Sequence, residues 1–346
     1  MNINSVMKNN NSIDLMRLFA AFAVVVIHVT SYYLKTDIQI SKSSWMFANL
    51  LNAFSRWSVP IFIMISGTLL INEKSFLDAN LFFKKRMRRI LIPLVFWSIF
   101  FIMFNVYIYN FFSIKDLIGR LYIGEPYYHL WYLYLILGIY FVTPIVSLIH
   151  ENFDFKYRLK IIVTIFIAGS INNIWLRHFG QNNLFFAFKF ISYLGYFMIG
   201  KELSKLNFKF NKYFYLAIWF FISVTIALFT LFFRNQNLTV ITYFYDYLNP
   251  LVIIQSISIF IFMIKFKLNT NFSTKFKVII TKLSGLTFGI YIIHPIFVDL
   301  LFKNQENLLL KNNIIFTIPF FTLLIFILSG IVVLIFSKTP LLRRLT

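Results

Sequence analysis

The sequence contains no cysteine. Disulfides, thiol nucleophiles, thioester carriers on the protein itself and cysteine-ligated zinc are therefore excluded. Acidic residues are also scarce: Asp and Glu number 12 against 33 Lys and Arg, and only 13% of the 346 residues are charged. No connector on the side opposite the termini is long enough to fold alone. Fixed-period repeats, linkers and soluble appendages are missing too, so a single domain over residues 1–346 is expected.

What the sequence has in abundance is apolar surface. Hydrophobic residues make up 59% of the chain and come in long blocks separated by short basic connectors, the composition of a polytopic membrane protein. The net charge of +21 does not call for nucleic acid, because the basic residues sit between the blocks, where orientation in a membrane accounts for them. The 46 Phe residues and the Asn-rich patches fill lipid-facing positions and carry no site information. The opening "MNINSVMKNNNSIDLMR" is short, polar and weakly basic. The segment after it lacks a small-residue cleavage site and is long enough to span, so it reads as a retained first helix.

Ten blocks have the length of a membrane-crossing helix: 13–33, 46–71, 90–111, 129–149, 159–176, 184–200, 213–233, 247–265, 280–302 and 313–336. The expected fold is all-α, a multi-pass membrane protein with both termini on one side. Lys and Arg select that side, since connectors held in the cytoplasm accumulate them. The termini and the connectors on their side carry 22, among them Lys8, the group from Lys74 to Arg89, and Arg343 with Arg344; the opposite connectors carry 8. The termini are accordingly expected in the cytoplasm. Arg17, Arg56 and Lys189 remain within spans or at their edges.

An ionisable side chain inside a span costs roughly 3 kcal/mol on insertion scales and persists where it faces a cavity, a partner or a substrate. In "DLMRLFAAFAVVVIHVT" (14–30), Arg17 and His28 are eleven residues apart. That spacing turns through ~1100°, close to three full turns, so the two share one helix face ~16 Å apart along the axis. The arrangement describes a groove with a cation at its cytoplasmic mouth and an imidazole deep inside. The plainer account has Arg17 reaching the headgroups and pairing with Asp14, and His28 bonding a neighbouring helix.

In "SRWSVPIFIMISG" (55–67), Arg56 lies inside the second span, and Pro60 removes the N–H that the Arg56 carbonyl would accept. A polar pocket and an outward-reaching arginine are both open readings. "YYHLWYLYLILGIY" (127–140) puts His129 and Trp131 near the outer surface, where aromatic belts are ordinary. In "SGLTFGIYIIHPIF" (284–297), His294 is twelve residues past Lys282. It should lie ~18 Å into its span, at a depth similar to that of His28. Pro295 frees the carbonyl of Tyr291 at that level. The only carboxylate considered for that depth is Asp299, so no metal site is expected. In "KKRMRRILIPLVFW" (84–97), Arg86 and Arg89 are one turn apart and can face one phosphate group, although basic clusters beside a span also set orientation or bind anionic lipid.

Taken in order, these stretches resemble acyltransferase family 3, integral-membrane proteins that acylate cell-surface glycans. The resemblance rests on Arg17 with His28, on "SVPIFIMISG", on the arginine cluster ending at Arg89 before "ILIP", and on "HLWYLYLI", "YLGYFMIGKEL" and "FGIYIIHPIF". Among branches it is most similar to the stand-alone type exemplified by the O-acetyltransferase of enterobacterial common antigen. It departs from larger members after "HLW", where their glutamates are replaced by Ile136 and Leu137.

The resemblance implies a bacterial inner-membrane enzyme with no tightly bound cofactor. Its donor would be cytoplasmic acetyl-CoA or a similar acyl-CoA, and its acceptor a hydroxyl of a surface polysaccharide or lipid-linked glycan. Its other contacts would be membrane lipids, with no nucleic acid. Arg17, Arg86 and Arg89 would meet the donor phosphates, His28 would be the general base or an acyl relay, and Arg56, His129, Trp131 and His294 would be candidates for acceptor binding or oxyanion stabilisation. A glycan exporter or flippase would share the spans and buried cations but transfer no acyl group.

Overall fold

The computed structural model describes residues 10–34, 40–72, 77–109, 113–179, 189–234, 242–266, 273–302, 313–340 and 342–346. Lys8, Lys35, Lys74, Lys267, Lys303 and Lys311 of the charge count lie outside them, as do residues 1–9 and 184–188. Among the described residues the structure is helical, without strands. The helices are α1 (Asn10–Tyr33), α2 (Lys42–Ser55), α3 (Ser58–Leu70), α4 (Ala79–Tyr109), α5 (Ile114–Tyr122), α6 (Trp131–Asn152), α7 (Phe155–Phe179), α8 (Leu194–Lys205), α9 (Lys212–Phe232), α10 (Pro250–Lys265), α11 (Thr274–Ser284), α12 (Thr287–Phe302) and α13 (Ile314–Ser337).

Among the described residues seven helical stretches are long and apolar enough to cross a membrane, and eight if the pair α11 and α12, bent by 55°, is one span. The chain is a multi-pass membrane protein. Large apolar side chains such as Met103, Phe221 and Phe316 stand outward on the long helices, as expected where lipid replaces water. The sixth and eighth apolar blocks form shorter helices, α8 with 12 residues and α10 with 16. The second block is interrupted between Ser55 and Ser58, the place where Pro60 denies the Arg56 carbonyl its helical partner. Helix α5 falls in a connector; Ser113 caps its first turn and Asp116 pairs with Arg120 at 2.8 Å.

The chain divides into two compact units. The first comprises residues 1–62 and 206–335. Here α1 lies against α2, α10, α11 and α12, and α9 packs on α2 and α10. Val25, Val29, Val298, Phe302 and Ile325 form an apolar core, while a second cluster gathers Ala53, Ile226 and Val252. Several buried polar groups between these helices are bonded across the contacts, as a medium without water favours. Asn49 donates to the Ala227 carbonyl at 2.9 Å and accepts from Thr230 at 2.7 Å and from the Tyr245 hydroxyl. Gln255 donates to the Ala53 carbonyl at 2.8 Å and to Ser223 at 2.6 Å. Asp14 accepts from Thr281 at 2.9 Å and Ser284 at 2.8 Å, tying α1 to the bend between α11 and α12.

The second unit comprises residues 63–205 and 336–346. Within it α4 packs on α6, and α8 on α6 and α7. The glycines of "SVPIFIMISG" and "YLGYFMIGKEL" meet each other's helix: a Cβ on Gly67 would collide with the Phe197 carbonyl, and one on Gly200 with the Met64 backbone. Thr68 fastens the same contact by donating to the Gly200 carbonyl at 2.9 Å. At the far end of α8, Glu202 takes a two-pronged bond from Arg158, at 2.7 and 3.0 Å, and a third from His150 at 2.9 Å. Burial pushes the Glu202 carboxyl up, but the hydrogen bonds from His150 and Arg158 outweigh it and hold it down to about 2. Lys189, at the edge of the sixth block, pairs with Glu125 at 2.7 Å.

Candidate functional site

Three of the residues singled out by the sequence come together in the first unit. His28 is in the sixth turn of α1 and His294 in the middle of α12, and their ring centroids are 5.0 Å apart. Similar depth was expected from spacing; the structure makes the two imidazoles neighbours. Arg56, in the break between α2 and α3, lies close enough to His28 to act electrostatically on it. His294 is fully buried, whereas His28 and Arg56 each keep part of their surface open. Within the pair, His28 is the more exposed member.

The tautomer of His294 follows from its partner. Its Nδ1 is 3.1 Å from the Ile290 carbonyl, an acceptor only, so Nδ1 carries a proton. The Tyr291 carbonyl, released by Pro295, lies beside the same ring. Pro295 therefore supplies a polar backbone group that helps to fix the orientation of His294.

Arg56 is held from several sides. Its Nε donates to Asn52 Oδ1 at 2.7 Å, one Nη donates to the Tyr245 carbonyl at 3.2 Å, and the guanidinium stacks on the Tyr245 ring at 4.4 Å. The Tyr247 hydroxyl is a further hydrogen-bond partner, and Asp246 supplies a nearby negative charge. The far side of Asn52 donates to Thr30 Oγ1 at 2.8 Å, to Ser31 Oγ at 3.2 Å and to the Ile27 carbonyl at 3.3 Å. A single amide thus connects the Arg56 side chain to the turn of α1 that carries His28. Of the two readings left open for Arg56, these contacts favour the polar pocket, since its bonds are to Asn52, Tyr245 and Tyr247. Asp299 was the carboxylate considered for this depth, yet the one acting on Arg56 is Asp246, from the connector ahead of α10. Sequence reasoning missed Asn52, Tyr245, Asp246 and Tyr247. The run "YFYDYLNP" (243–250), where Asn249 caps α10 through Leu251 N, was the available signal.

Arg17 shares the α1 face of His28, and its side chain is 35% exposed. Its approach to Asp14 is long, 3.8 Å, because Asp14 is engaged by Thr281 and Ser284. The remaining predicted residues belong to the second unit. Arg86 is half-buried and Arg89 exposed, both near the start of α4. His129 is fully buried, with its ring edge-on to Phe101 at 4.7 Å and Tyr127 at 5.9 Å. It precedes α6 and is packed among aromatic rings of the protein. Trp131 opens α6 and stands against Tyr193 at 5.8 Å. Among the described residues no group of three His, Asp or Glu could hold a metal ion.

The family model of the acyltransferase 3 domain matches residues 10–337, nearly the whole chain. The chain belongs to the acyltransferase 3 family. It is an acyltransferase, and the helices just described are the membrane architecture of this domain. No curated protein and no solved structure matches it. The glycine contact between α3 and α8 lies inside the region matched by the acyltransferase 3 model, as do His28, Arg56 and His294.

Proposed function

We propose that this acyltransferase moves an acetyl or similarly short acyl group from cytoplasmic acyl-CoA to a hydroxyl of a surface polysaccharide or lipid-linked glycan. In this reading it works from the inner membrane as a ten-span protein with both termini in the cytoplasm. The observation that carries it is the His28–His294 pair with Arg56 beside it, a basic and cationic cluster with a partly exposed imidazole. In this view it resembles the stand-alone branch of the family.

His28 takes the proton from the acceptor hydroxyl as that oxygen attacks the thioester carbonyl. The C–S bond of the tetrahedral intermediate then breaks, and the same proton goes to the departing thiolate. Arg56 stabilises the oxyanion, and His294 supports the orientation of His28. Arg17 marks the cytoplasmic mouth of the α1 groove, and its ~16 Å offset from His28 suits an extended pantetheine arm. Arg86 and Arg89, one turn apart on α4, take donor phosphate. His129 and Trp131 serve the acceptor.

The test uses purified protein with labelled acetyl-CoA and an extract of membrane glycolipids. The expected result is release of free coenzyme A together with labelled glycan. Export of glycan without either product would establish a flippase instead.

A further inference from the structure

The C-terminal turn of the second unit, Leu342–Arg344, packs against α4. It is pinned there by one specific bond: the buried indole of Trp97 donates to the Leu345 carbonyl at 2.8 Å. Leu345 is itself buried, while Arg343 and Arg344 beside it stay exposed. The helix that receives this basic turn carries Lys84, Lys85, Arg86, Arg88 and Arg89 in its second and third turns. Neither residues 79–109 nor residues 336–346 contain a single Asp or Glu. A specific hydrogen bond therefore holds two predominantly cationic segments together, and the carboxylate that immediately precedes α4, Asp78, caps its first turn by accepting from Leu81 N at 3.1 Å.

The register of α4 gives the geometry. Ile90, Leu94 and Trp97 form its buried stripe, and Arg86 falls eleven residues before Trp97, on the same face. Along the axis Arg86 is ~16 Å and Arg89 ~12 Å from Trp97. The Trp97 side chain leans back toward the helix N-terminus, which brings the bound turn nearer to the arginines. Two banks of guanidinium groups result, one on α4 and one on the turn. Together they offer guanidinium groups to a ligand that carries more than one phosphate.

We infer that the C-terminal turn and the start of α4 form one polyphosphate-binding surface, with Arg343 and Arg344 as the second bank. The inference rests on the reading of Arg86 and Arg89 as donor-phosphate residues and extends it to a segment beyond the matched family domain, which ends at residue 337. The shared chemistry is phosphate, offered either by a soluble nucleotide or by anionic lipid headgroups.

The experiment uses the full chain in nanodiscs of zwitterionic lipid and measures binding of acetyl-CoA and of 3′,5′-ADP. A parallel arm measures enrichment of phosphatidylglycerol around the protein in mixed nanodiscs. The Arg343→Ala/Arg344→Ala double variant is expected to bind both soluble ligands roughly tenfold more weakly. Trp97→Phe, which removes the indole donor but keeps an aromatic ring, should weaken binding similarly, and the triple variant should lose little more. Unchanged soluble binding with reduced phosphatidylglycerol enrichment assigns the surface to lipid headgroups. Unchanged values in both arms overturn the inference while leaving the donor reading intact. Wild-type protein that binds neither acetyl-CoA nor 3′,5′-ADP refutes the donor reading itself, and a lipid effect then stands alone.

Discussion

The side-chain oxygen of Asn52 accepts the Nε–H of Arg56 at 2.7 Å while its amide nitrogen is bonded to Thr30 on α1. Asn52 is fully buried, so its bonds compete with no water. The consequence is that Arg56 cannot move relative to His28 without breaking a bond inside the unit. Asn52→Leu should therefore release the guanidinium and lower kcat by tens of fold, the equivalent of ~2 kcal/mol for a bond to a charged group. Donor KM should change little. Asn52→Asp retains the acceptor for Arg56 but not the amide donor to α1, and should fall between wild type and Asn52→Leu. Steady-state kinetics beside a thermal midpoint separate this positioning role from simple loss of fold, which would lower the amount of active enzyme without altering KM or the order of the variants.

For His28 the expectation is loss of chemistry with retention of donor binding. His28→Ala should abolish acyl transfer while acetyl-CoA still binds, because a base contributes in the transition state and not to ground-state affinity for the donor. Wild-type turnover should fall on the acid side as an imidazole becomes protonated, since imidazolium cannot accept the hydroxyl proton. His294→Ala should leave measurable activity, as befits a fully buried ring whose Nδ1–H is given to a backbone carbonyl. The base assignment is falsified if folded His28→Ala protein retains substantial acceptor-dependent turnover.

The helical fold was legible because long apolar blocks have few alternatives in a membrane, and the Arg17–His28 face followed from helical periodicity alone. The depth argument placed His28 with His294 for the same reason: both were counted from basic residues at the start of their spans. The partners of Arg56 were not legible. Tyr245, Asp246 and Tyr247 come from a connector whose path depends on how α9 and α10 pack, and one-dimensional spacing carries no such information. Asn52 was hidden differently, since an Asn four residues before an Arg reads as ordinary helix surface until Thr30 on another helix meets its far side. The burial of His129 was not legible for a related reason, because an aromatic run beside a span has the same composition whether it faces lipid or other protein side chains.

The α3–α8 contact gives a structural prediction away from the site. A methyl group at Gly67 would occupy the space of the Phe197 carbonyl, and backbone cannot move aside as a flexible side chain does. Gly67→Ala should force the two helices apart, break the bond from Thr68 to the Gly200 carbonyl, and destabilise the protein by several kcal/mol, about 1–3 kcal/mol of it from overpacking alone. Thermal unfolding in detergent, followed by size-exclusion chromatography, reads this directly. Gly119→Ala is the matched control, because a Cβ there meets nothing within 4 Å. A Gly67→Ala midpoint equal to that of Gly119→Ala would remove the close-approach argument.

Orientation in the membrane remains to be measured, and the missing cysteines make the measurement clean, since any introduced thiol is the only one in the chain. The charge bias of 22 against 8 predicts the start of α4 in the cytoplasm and α5 on the opposite side. Lys85 is exposed near the start of α4, and Lys115 is exposed in the first turn of α5, so both positions accept a label without disturbing a packed surface. Intact cells or right-side-out vesicles carrying Lys85→Cys or Lys115→Cys are treated with a membrane-impermeant maleimide, before and after permeabilisation. Lys115→Cys should react at once and Lys85→Cys only after permeabilisation. That outcome puts Arg86 and Arg89 where cytoplasmic acyl-CoA can reach them. Immediate labelling at Lys85 alone would invert the topology, expose the arginine cluster to the outside, and remove the route by which a cytoplasmic donor meets it.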